Sequence, residues 1–70
     1  MTITNIKSSN IKTIDYNEEI QTLTIEFQSG SKYAYSNVPK SVFARLFSAD
    51  SIGRYVSENI RNNYTYVRLV

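Results

Sequence analysis

Three short stretches carry the side chains that could do chemistry. Tyr33-Ala34-Tyr35 sets two phenol rings two residues apart, and Tyr64-Thr65-Tyr66 repeats that spacing near the C-terminus. Between them, Ser51-Ile52-Gly53-Arg54 joins a hydroxyl, a residue without a side chain and a guanidinium. Arg61 and Arg68 flank the second tyrosine pair. Aromatic rings stack on nucleobases, and guanidiniums bind phosphate with a planar fork of donors. At a helix start, free amides would join Ser51 and Arg54 in an anion site, with Gly53 letting a phosphate approach the backbone. Asp50 opposes this, because its carboxylate would repel the same anion. Each stretch also has a plainer reading. The tyrosines can be core rings, Ser51 or Asp50 a helix cap beside a closely packed glycine, and the C-terminal arginines solvated charges.

The absent residues narrow the chemistry. The 70-residue chain has no His and no Cys, which removes the usual triads, thiolate nucleophiles and ordinary zinc sites. No Gly-rich phosphate loop is present. The six acidic residues form no repeated motif of the kind that holds a metal pair, and Asp15 beside Tyr16 would be an unsupported general base. Binding without catalysis is therefore expected, with no cofactor. The net charge of +2 is mild, and its eight bases are dispersed from Lys7 to Arg68. A duplex-binding protein usually carries a denser basic stripe.

These side chains need elements to position them. Ile11, Ile14 and Tyr16 mark a first strand that ends at the polar turn Asn17-Glu18-Glu19. In QTLTIEF, Leu23, Ile25 and Phe27 alternate with polar residues, as in a strand with one buried face. Ser29-Gly30 signals a hairpin into KYAYSNV. Tyr33 and Tyr35 share a face, and the opposite face of Lys32, Ala34 and Ser36 would make a poor core. The tyrosines are thus expected on the helix-facing side, as core rings first and pocket walls second. Pro39 at a first helical position opens PKSVFARLFSA, where Val42/Leu46 and Phe43/Phe47 form two adjacent apolar rows for burial. Asp50 or Ser51 caps a second helix with Ile52, Val56 and Ile60 on one face, stopped at Asn62-Asn63. YTYVRLV alternates again and can return as a short edge strand. The expected fold is α+β: a three-stranded antiparallel meander packed against two C-terminal helices, plus that short strand. Residues 1–8 read as a polar arm with room for a short extra strand, and residues 9–70 as one domain. No apolar run approaches a membrane span, and the polar N-terminus has no secretory h-region, so a cytoplasmic location is expected.

The order SNIKTIDYN, then TLTIEFQSGSKYAYSNVP, then V-x-x-x-L-x-x-A-x-S-x-G-x-Y and I-R-x-x-Y resembles the KTSC domain family. That family is named for the C-terminus of some lysyl-tRNA synthetases and includes stand-alone bacterial and phage proteins. The resemblance spans roughly residues 8 to 69, with the family's Y-x-Y at Tyr33-Ala34-Tyr35 and its S-x-G at Ser51-Ile52-Gly53. It implies RNA binding, through the synthetase connection.

Three functions follow as expectations. The first is a binder of a nucleotide or cyclic nucleotide, its pocket completed by homo-oligomer formation because one small domain can hardly enclose such a ligand. Small phage proteins that sequester nucleotide immune signals provide the analogy. The second is RNA binding by tyrosine stacking and dispersed bases. The third is a protein-interaction module using a strand edge or aromatic patch. The first is preferred.

Overall fold

The computed structural model describes all 70 residues. Its sheet has five antiparallel strands in sequential order, not three: β1 (Thr2–Ile3), β2 (Ile11–Asn17), β3 (Thr22–Phe27), β4 (Lys32–Tyr35) and β5 (Tyr66–Arg68). β2, β3 and β4 are the expected meander, and the two short strands extend it at both edges. β1 is too short to show a periodicity; it is held by pairing with β2 and by Thr2 Oγ1 donating to Asp15 Oδ1 at 2.6 Å. β5 returns beside β4 after the helices, with Tyr66 opposite Tyr35 and Arg68 opposite Tyr33.

A bulge in β2 resolves an awkward spacing. Ile11 and Ile14 are both fully buried although three apart, which a regular two-residue alternation forbids. The register with β3 slips between Ile11 and Thr13, so Lys12 is the extra residue and both isoleucines reach the core. The β3–β4 hairpin turns at Gly30, whose φ of 94° lies in the left-handed region that glycine adopts without steric cost.

Helix α1 (Lys40–Phe47) follows Pro39, which is its N-cap in an extended conformation rather than its first helical residue. Of the two expected apolar rows, Phe43 and Leu46 are buried and Val42 is half-buried, but Phe47 is 65% exposed. One short helix on a small sheet can cover only one stripe. The expected second helix is split: α2 (Ile52–Tyr55) is a single α turn capped by Ser51, and Val56–Ile60 winds on as a π turn. There the Arg61 amide donates to the Val56 carbonyl at 3.0 Å, five residues back. Val56 and Ile60 still join Leu23, Ile25 and Tyr35 in one core of eleven buried residues. No helix is long and apolar enough to cross a membrane.

Candidate functional site

A cleft of about 370 Å³ opens between the β3–β4 hairpin and the second helical segment. The sheet side contributes Phe27, Ser31 and Tyr33, and the helical side contributes Gly53, Ser57 and Arg61. Those three helical residues are spaced four apart, which puts them on one row. The small Ser57 side chain leaves space in that row, whereas the place of a side chain at Gly53 is taken up by Ser8. The loop before β2 supplies the polar rim through Ser9 and Asn10. Arg61 is the one charged residue in the lining, no carboxylate faces it, and its side chain is in no ion pair.

Tyr33 is half-buried and held on several sides. Phe27 meets it edge-on with ring centroids 5.6 Å apart, Tyr66 stacks on it at 5.3 Å, and the Arg68 guanidinium lies 5.9 Å from its centroid. Arg68 is itself anchored, its guanidinium donating to the Val70 carbonyl and to Ser31 Oγ. Tyr66 and Arg68 do not line the cleft; they pack around a ring that does. Behind it, Tyr35 is 1% exposed and belongs to the core. Burial pushes the Tyr35 hydroxyl above its ordinary value, while the Arg61 charge pulls it down and the neighbouring Tyr66 and Tyr33 push it up. Tyr64 packs against the core and is also off the cleft.

The stretch from Ser51 to Arg54 faces mainly elsewhere. Ser51 Oγ accepts the Arg54 amide at 3.3 Å as a helix cap, and Arg54 Nε donates to Glu58 Oε2 at 3.2 Å. Both groups are thus already partnered. Gly53 meets a tight contact, since a methyl group there would sit 2.9 Å from Ser8 Oγ. Of the nine candidates from sequence, the structure gathers Tyr33, Gly53 and Arg61 in the cleft, and leaves Ser51 and Arg54 beside it. Reading the residues alone missed Phe27, Ser31 and Ser57; the four-residue spacing of Gly53, Ser57 and Arg61 was the available signal for Ser57. Nowhere do three acidic side chains gather as a metal site would require.

The sequence model of the KTSC domain matches residues 7–64, most of the chain. The chain belongs to the KTSC domain family. This KTSC domain is 37% identical over 65 residues to an uncharacterized protein of Stutzerimonas stutzeri, covering 91% of this chain and 92% of that one. It is also 41% identical over 63 residues to a lysine–tRNA ligase of Nostoc punctiforme, where the match covers 90% of this chain but 11% of the ligase. The crystal structure of a KTSC domain protein from Yersinia pestis superposes with a TM-score of 0.86 at 25% identity, covering both chains fully.

Proposed function

We propose that this KTSC domain binds a compact phosphate-bearing nucleotide in the cleft and does not convert it. One observation carries the reading: the lining combines the Phe27 and Tyr33 rings with the unpaired Arg61 guanidinium and holds no carboxylate. The rings meet the base, and Arg61 grips the phosphate. Its volume lies within the range of small-molecule sites, although one side is open. A second copy closing that side is the form in which we expect the ligand to be held. A non-catalytic nucleotide binder of this size suits anti-defence sequestration of a nucleotide immune signal in the cytoplasm, as in phage-type proteins.

The first test is to heat the protein purified from its native host and identify released small molecules by mass spectrometry. A stoichiometric nucleotide is expected. In titrations with that nucleotide, Arg61→Gln should weaken binding by about 1.5–3 kcal/mol, the worth of a hydrogen bond to a charged group. A folded Arg61→Gln variant that binds like the wild type would overturn the assignment. A second reading, RNA binding, draws on the lysine–tRNA ligase that contains a related stretch. It predicts no released nucleotide and capture of RNA at low salt.

A further inference from the structure

A second depression, of about 500 Å³, adjoins the cleft and shares Ser9, Asn10, Gly53 and Ser57 with it. The two are therefore neighbours, with these four residues on the boundary between them. Their chemistry differs. The cleft has the rings, whereas no hydrophobic side chain lines the second depression. Its charged residues are Lys7, Arg54 and Glu58. Arg54 and Glu58 are ion-paired at 3.2 Å and largely cancel, while Lys7 is exposed and in no ion pair. The second half is thus a polar basin with one uncompensated positive charge.

We propose that the two depressions form a single trough for a nucleotide carrying a second phosphate. This rests on the nucleotide reading of the cleft. The aromatic half takes the base and the nearer phosphate, which meets Arg61. The other half has no ring to stack on and takes the second phosphate, which meets Lys7 and the Ser9 and Ser57 hydroxyls. Ser57 stands at the junction and lines both halves with a small side chain. A large side chain at position 57 would wall them apart.

The experiment is calorimetric titration of the full chain with adenosine and uridine 5′-monophosphates and with the corresponding 5′-diphosphates. For at least one base the diphosphate should bind roughly tenfold tighter than the monophosphate, the size of one charge-assisted hydrogen bond. Lys7→Gln should erase that gain and leave monophosphate affinity unchanged, whereas Arg61→Gln should weaken both. Lys7 is exposed, so its replacement leaves the core untouched. Equal affinities of the wild type for mono- and diphosphate would overturn the trough and spare the nucleotide reading. So would a Lys7→Gln variant that weakens both ligands equally. Failure of all four probes to bind would overturn both.

Discussion

Tyr16 places its ring in the core and its hydroxyl on a backbone partner. The ring stacks on Phe43 with centroids 4.8 Å apart, and the hydroxyl donates to the Val38 carbonyl at 2.6 Å. Tyr16→Phe keeps the stacking and removes the donor, so urea unfolding at neutral pH should show a loss of about 1–2 kcal/mol. The same residue gives a pH test. Burial is the main cause that raises its hydroxyl above the ordinary 10.0; Glu18 adds to the rise and Lys40 opposes it. Above about pH 10 the unfolded chain gives up a proton that the folded chain keeps, which favours unfolding. The contribution of Tyr16 is therefore complete below that pH and is lost as pH rises through the folded value. The stability gap between wild type and Tyr16→Phe should narrow above about pH 10; a gap that widened would reverse the sign. Comparing the two proteins cancels the titration of the lysines.

At the scale of elements, the second helical segment and the loop before β2 approach closely at Gly53 and Ser8. Ser8 Oγ accepts the Asn10 and Ile11 amides at 3.2 Å each, so it cannot swing away from Gly53 without releasing them. Gly53→Ala gains helix propensity of up to about 1 kcal/mol but forces a methyl group against that oxygen. Replacing Ser8 with Ala removes the oxygen. A double-mutant cycle should show Gly53→Ala more favourable in the Ser8→Ala background by about 0.5–3 kcal/mol. Additive effects would mean the contact does not govern packing there. The S-x-G pattern was legible as a capped helix start, and Ser51 does cap it. Neither the bulge at Lys12 nor the π turn was legible, because each is a local insertion whose only reward is core contact made elsewhere in the chain.

For the whole molecule, a net charge of +2 decides how binding answers to salt. A compact nucleotide meeting Arg61 and Lys7 engages two positive charges. Its affinity should fall by less than roughly tenfold between about 50 and about 200 mM salt, whereas a polymer gripped at several phosphates would lose about 10³-fold or more. A steep loss with RNA, together with no nucleotide affinity, would transfer the function to the second reading. The meander, the helix-facing tyrosines and the family were all readable in the sequence by itself. Alternation and helical spacing are local properties, and they state directly which side of each element is apolar. The tertiary structure alone decided which tyrosine faces a cleft and which arginine reaches it. Tyr33 and Tyr35 have the same residue type on the same face, yet β5 and the helical row bury one and leave the other half-exposed. The cleft walls come from the hairpin, the N-terminal loop and the helical row, segments far apart in the chain. No local pattern records that they meet, because only packing of the shared core brings them together.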